Sequence, residues 1–449
     1  MPTQHPRTAI SLFSSGGIGD LALRGLGIEV LLSNELLEDR HSIYQANNLS
    51  VHCISGDINS LKSQIDQKAK ELLGGRPLDI LFATPPCQGM SKNGRGKLLQ
   101  GIRSGEKPKL DVRNRLVIPA LDLCNSLSPE TIVFENVPEM ENTVIEEPTG
   151  RIVGILEYIR ERLGSGYVGR GEVVEFADYG VPQCRQRLIT VFTRNSNLTR
   201  YFKLRGSMMP PHSHSEDGTH GLPRWRTVRD TIADLPPLDG RDRLRSEGFN
   251  PLHTVSALDE DKYYWVSNTP PERSAFDNQC VHCGCRENPT HQARRDSEGI
   301  NRTSKDTPVR CVECGELLPR PWVKETDGTI RLMKGFTSAY KRMSWDAPSN
   351  ALTTNFAYAC SDAKVHPEQH RALSILEALM LQTITDYDYK WERADGKKVG
   401  AQLIRDIIGE SIPPRGLHAI FSHLLTVMES SGDLSASIQP RGTAELALW

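Results

Sequence analysis

Apolar and polar positions are unevenly distributed along this chain. Through the first 195 residues, short apolar runs alternate with stretches of helical period. Ala9–Ser14, Ile28–Asn34, Leu78–Thr84, Thr131–Glu135 and Leu188–Thr193 read as strands. Several are apolar throughout, as strands covered on both faces of a parallel sheet must be. Between Arg151 and Leu163, the residues Ile152, Ile155, Leu156, Ile159 and Leu163 share one stripe and predict a helix. The alternation predicts an α/β fold with an open, doubly wound sheet.

The texture changes near Asn195. From there to about Lys341, Pro, Gly, His and Arg are frequent and periodicity is weak; Pro210-Pro211, Pro236-Pro237 and Pro270-Pro271 punctuate the stretch. Helical spacing returns at Gln369–Leu381 and Gly416–Met428. The expected division is 1–195, 196–341 and 342–449, the last part completing the first domain around a smaller inserted one. Lys and Arg total 54 against 56 Asp and Glu. That balance excludes a polycation binding nucleic acid by bulk charge, but not local basic surfaces. No apolar run approaches the roughly 18 residues of a membrane span, and the N-terminus lacks a signal-peptide core. A cytoplasmic protein with reduced cysteines is expected.

Candidate chemistry gathers at the predicted strand ends. Phe13-Ser-Ser-Gly-Gly-Ile-Gly19 follows the first strand and allows a tight turn at a helix N-terminus, though its spacing is not the dinucleotide G-x-G-x-x-G. Glu35 ends the second strand, where an acid can bind ribose hydroxyls, and Asp57-Ile58 follow a third at Cys53-Ile54. Pro85-Pro86-Cys87-Gln88-Gly89 ends the fourth and holds a cysteine exposed and oriented. Phe134-Glu135-Asn136-Val137 sets a carboxyl at the end of the fifth. Gln183-Cys-Arg185-Gln-Arg187 presents two arginines, and a nearby arginine favours a reactive thiolate.

These motifs, taken in order, resemble those of the DNA cytosine-5 methyltransferases. Arg342 with Pro348, Ala351-Leu352-Thr353, and Gly409-Glu-Ser-Ile-Pro413 resemble that family's late motifs. The resemblance covers nearly all of the chain outside Asn195–Lys341. It implies a methyltransferase sheet using S-adenosylmethionine, with a target-recognition domain inserted. Cys87 would attack carbon 6 of cytosine, Glu135 would hydrogen-bond or protonate nitrogen 3, and Arg185 and Arg187 would hold the base and its phosphates. Phe13, Ser15, Gly17, Ile18, Glu35, Asp57, Ile58, Pro86, Leu116 and Glu410 would form the cofactor pocket. The target base is out of reach inside a duplex and must be flipped out. Three departures stand at cofactor positions: Ser15 and Ile18 replace common glycines of the Gly-rich turn, and Glu410 replaces the usual Asn before Ser-Ile-Pro. The acid could weaken cofactor binding, or another group could compensate.

Gln88–Arg115 carries eight basic and two acidic residues, a net of +6, and reads as a basic loop beside Cys87 that closes over DNA phosphates. Arg185–Glu247 carries twelve basic and seven acidic, a net of +5; in the family this stretch begins the domain that reads base edges. Cys280-Val-His-Cys283 and Cys311-Val-Glu-Cys314, each followed by Gly, leave 27 residues between the inner cysteines. Four thiolates at about 2.3 Å would make a closed structural zinc site, with His282 and Cys285 as substitutes for one ligand. Zinc would replace the missing core of the insert.

The expected function is a prokaryotic-type DNA (cytosine-5-)-methyltransferase acting on duplex DNA, in a restriction–modification system with a partner endonuclease or encoded by a phage. Through DNA it would associate with the nucleoid. The rivals are an RNA-modifying relative, to be separated by methyl transfer to tRNA, and a catalytically silent DNA-binding relative, which the intact Cys87 and Glu135 oppose. A nicotinamide-dependent oxidoreductase is opposed by the spacing of the Gly-rich turn.

Overall fold

A computed structural model describes residues 6–86, 112–241, 249–290, 293–295, 301–303, 307–333 and 337–430. Cys87 and most of the basic stretch after it lie outside the described residues. The chain opens with β1 (Thr8–Leu12), α1 (Asp20–Gly25), β2 (Glu29–Glu35), α2 (Glu38–Asn47), β3 (His52–Ser55), α3 (Ile58–Leu73) and β4 (Ile80–Ala83). It continues with α4 (Val117–Leu127), β5 (Thr131–Asn136), β6 (Val144–Glu146), β7 (Ile152–Gly154), α5 (Ile155–Leu163), β8 (Val168–Glu175), β9 (Gln183–Cys184) and β10 (Gln186–Thr193). One seven-stranded sheet has the order β3-β2-β1-β4-β5-β10-β8. Its first five strands are mutually parallel, and β10 is antiparallel to both neighbours.

The apolar runs became strands because both sheet faces are covered. Ala9, Ile10 and Leu12 of β1 are fully buried. Helix α3 follows its sequence signals: Asp57 caps it by accepting the Asn59 amide at 2.9 Å, Ile65, Ala69 and Leu73 face inward, and Gly74 ends it in the left-handed region.

Three readings of the pattern need correction. The expected helix at Arg151 starts at Ile155, because Ile152–Gly154 pairs with Val144–Glu146 as a hairpin first. The helix expected from Gln369 starts at Ile375, behind a Ser374–Glu377 capping box. Strand β8 escaped notice because it is an edge strand, with Gly169 and Gly171 breaking its alternation.

After α6 (Ser196–Arg205), regular structure is sparse until α7 (Glu260–Ser267), α8 (Ile375–Leu381), α9 (Ala401–Glu410) and α10 (Pro414–Glu429). Helix α10 returns to the sheet, where Phe421 meets Phe82 edge-on at 5.4 Å. The irregular backbone between is held by buried arginines, each donating to several main-chain carbonyls. Arg320 bonds Asn278, Pro289 and Pro308. Arg342 bonds Val266, Thr269, His366 and Gln369. Among the described residues, no helix is long and apolar enough to cross a membrane.

Candidate active site

Strands β1 to β5 point their C-terminal ends at one edge of the sheet. Because β10 runs the other way, its beginning lies at that same edge, with Leu188 opposite Asn136 and Ile189 opposite Glu135. Strand order reverses between β1 and β4, and there a cavity of about 460 Å³ opens, in the place where open α/β sheets take ligands.

Phe13, Ser15, Ile18, Glu35, Asp57, Ile58, Pro86, Leu116, Glu135, Arg187 and Glu410 line this one cavity. Gly17 and Arg185 do not. Gly17 sits behind the turn at φ +83°, where a Cβ would come within 2.8 Å of the Tyr44 ring.

The Gly-rich turn is tied from three sides. The Ser15 amide donates to one oxygen of Glu35 and the Leu37 amide to the other, both at 2.8 Å. Each oxygen keeps a lone pair for a ligand. Thr84 Oγ1 donates to the Phe13 carbonyl at 2.9 Å, linking the ends of β1 and β4. From the far end of the chain, the Tyr389 hydroxyl donates to the Gly16 carbonyl at 2.6 Å. Phe13 and Ser15 both have left-handed backbone, φ 59° and 48°, which explains why a glycine would suit position 15. The Ser15 hydroxyl is buried without a partner among the described residues.

At the β5 end, Arg187 Nε lies 3.1 Å from Glu135 Oε1. Glu135 is 8% exposed. Burial pushes its carboxyl above the ordinary range, against the opposing pull of Arg187 and Arg185. Asn136 donates to the Pro85 carbonyl at 2.9 Å, so the acid's own strand holds the Pro-Pro turn that leads to Cys87.

Arg185, expected at the substrate, points elsewhere. The residue is 1% exposed, and its guanidinium donates to the carbonyls of Leu352, Gly409 and Ser411 at 2.7, 3.1 and 2.7 Å. It fastens two late motifs together, and the second of these carries Glu410.

Asp20 was missed by the pattern, since an acid in the first turn of a helix reads as a dipole partner. It lines the cavity at 1% exposure and accepts from Ser11 and Tyr44 at 2.8 and 2.6 Å. Burial pushes it up to about 6.

Away from the cavity, the ligand atoms of Cys280, Cys283, Cys311 and Cys314 all lie within 4.8 Å of one another. Three sulfur–sulfur distances are 3.7, 3.6 and 3.7 Å. A tetrahedron with metal–sulfur bonds of about 2.3 Å has edges of about 3.8 Å. Each pair sits on the same turn. The Cys280 amide donates to the Cys285 carbonyl and the Cys311 amide to that of Glu316, with Gly284 and Gly315 left-handed at φ 75° and 73°. The Cys314 amide draws the Cys311 thiol down to about 6. His282 and Cys285 are not in the cluster.

Solved methyltransferases share this fold. EhMeth of Entamoeba histolytica superposes with a TM-score of 0.53 at 11% identity, over 95% of this chain and 100% of that one. A DNMT2 variant from Spodoptera frugiperda does so with 0.51 at 13%, over 94% and 100%. The chain belongs to the C-5 cytosine-specific DNA methylases, whose family profile matches residues 7–426. It is 28% identical over 417 residues to the type II methyltransferase M1.HgaI of Avibacterium volantium, covering 90% of this chain and 94% of that protein. To M1.HphI of Haemophilus parahaemolyticus it is 24% identical over 421 residues, covering 93% and 86%.

Proposed function

We propose that this chain is the DNA (cytosine-5-)-methyltransferase of a type II restriction–modification system, using S-adenosylmethionine and acting on a flipped cytosine in a specific duplex site. The observation that carries the reading is the meeting of Pro86, Glu135 and Arg187 in the same cavity as Glu35, Asp57 and Ile58. The five parallel strand ends span about 19 Å at about 4.8 Å per strand, room for a nucleoside at one end and a reacting base at the other. The Ser15 hydroxyl, without a partner among the described residues, and the remaining lone pairs of Glu35 suit a polar cofactor.

Glu35 would take the ribose hydroxyls, and Asp57, Ile58 and Leu116 would enclose the adenine. Bound there, S-adenosylmethionine supplies an electrophilic methyl group. Carbon 5 of cytosine is a poor nucleophile until a thiolate adds at carbon 6. Cys87, one residue beyond the Pro86 that lines the cavity, would form that bond. As its electron pair enters the ring, charge builds toward nitrogen 3, and the buried Glu135 carboxyl, held by Arg187, would deliver its proton there. Carbon 5, made nucleophilic by that addition, would take the methyl group and leave the cofactor a thioether; loss of the carbon 5 proton to a base, with return of the nitrogen 3 proton to Glu135, would then let the carbon 6–sulfur bond break and restore the thiolate.

Residues 196–341 would form the target-recognition domain, with the four-cysteine cluster binding structural zinc. Residues 1–195 and 342–449 would form the catalytic domain, as the packing of Phe421 on Phe82 supports. The partners would be duplex DNA and a cognate endonuclease, in the cytoplasm.

The test is covalent trapping. Methylated-site sequencing first identifies the target, and a duplex with 5-fluorocytosine there is then presented together with S-adenosylmethionine. The fluorine cannot leave as a proton does, so a stable adduct is expected with the wild type and none with Cys87→Ser. An active preparation that forms no adduct would overturn the mechanism.

A further inference from the structure

The acid at position 410 has a partner 370 residues away. Arg40 in α2 donates from Nη2 to Oε1 of Glu410 at 3.0 Å, and its Nη1 lies 2.8 Å from Oε2. This is the two-pronged geometry that makes arginine–carboxylate pairs directional. Both residues line the cavity, and their side chains are 18% and 31% exposed. The pair therefore joins the helix after β2 to the end of α9 along the cavity wall. The Arg40 Nε is buried and has no partner among the described residues. Two other acids bear on Glu410, Asp406 on its own helix and Glu35 across the cavity. Without Arg40, Glu35 and Glu410 would stand as two acids in the cavity wall with no arginine between them and the ligand.

That matters because the ligand's charge changes in the reaction. S-adenosylmethionine carries a sulfonium, an ammonium and a carboxylate, a net of one positive charge. Its product, S-adenosylhomocysteine, is a thioether with no net charge. A carboxylate in the wall favours the first over the second, and an unpaired guanidinium does the reverse. We infer that Arg40 and Glu410 act as one charge-neutral positioning pair in the cofactor wall, and that their balance sets how strongly the site distinguishes cofactor from product. The inference rests on the cofactor reading above.

Titration calorimetry of the full chain with each ligand in turn gives the ratio of the two dissociation constants. Glu410→Gln leaves Arg40 unpaired and should shift the ratio toward the product by about fivefold, the size of one charge–charge interaction in a watery site. Arg40→Gln should shift it about as far toward the cofactor. The double variant, having lost both charges, should return close to the wild-type ratio. A merely structural pair would weaken both ligands equally in each single variant, and that result overturns the inference. Glu410→Asn replaces the Gln variant should the latter fail to fold, with the same shift expected. A wild type that binds neither ligand would refute the cofactor reading instead, so the two failures are distinguishable.

Discussion

Arg187 holds Glu135 at 3.1 Å across two antiparallel strands. The acid ends β5 and the arginine opens β10, so the reversed strand brings a residue 52 positions later to the same edge. Burial and the arginine pull the carboxyl in opposite directions, and burial prevails.

Glu135→Gln keeps the shape and removes the proton, so turnover should fall by about 10²–10⁴-fold. Because the folded acid titrates above its ordinary range, the wild-type rate should decline on the alkaline side as Glu135 loses its proton. The Gln variant should lack that limb. A pH–rate profile of both proteins checks this, and an unchanged alkaline limb would exclude Glu135 as its source.

Arg185 serves three main-chain carbonyls. A lysine cannot reach all three, so Arg185→Lys should leave buried carbonyls unsatisfied and cost about 2–4 kcal/mol of stability. Urea unfolding measures the loss. Unchanged stability with lost activity would return Arg185 to direct substrate contact.

Asp20 has its folded value raised from 3.8 to about 6. A raised acid stabilises the fold while protonated, and that contribution disappears as pH rises through the folded value. Relative to wild type, Asp20→Asn should therefore gain stability between about pH 4 and 6, on the order of 3 kcal/mol in all. Urea midpoints compared at pH 4 and pH 7 read the difference. A gap that does not change with pH would mean the acid is ionised throughout.

The four-cysteine cluster should bind about one zinc per chain. Cys311→Ser should lose the metal and lower the melting temperature, while cofactor binding at the distant cavity persists. Elemental analysis with a thermal melt decides; a metal-free wild type of equal stability would remove the zinc.

Much of this architecture is legible in the order of residues. The apolar runs at β1, β2, β4, β5 and β10 declare themselves because both sheet faces are buried. The four cysteines declare their cluster by spacing alone. Residues such as Glu35, Asp57 and Glu135 stand out because chemistry-bearing side chains at strand ends need only the α/β rule to be placed at one edge. Arg40, Asp20, Tyr389 and the carbonyl-binding role of Arg185 are hidden, since each depends on a contact with no local signature. Arg40 meets Glu410 across 370 positions, Tyr389 meets Gly16 across 373, and Arg185 meets Gly409 across 224.

By itself, the amino-acid sequence determined the apolar strands β1, β2, β4, β5 and β10, the acid-bearing tips and the paired cysteines, because periodicity and close spacing are local properties of a chain. Only the tertiary structure decided which arginine faces the cavity and which supports it, and which charge neutralises Glu410. Burial and pairing are set by what the distant chain brings alongside.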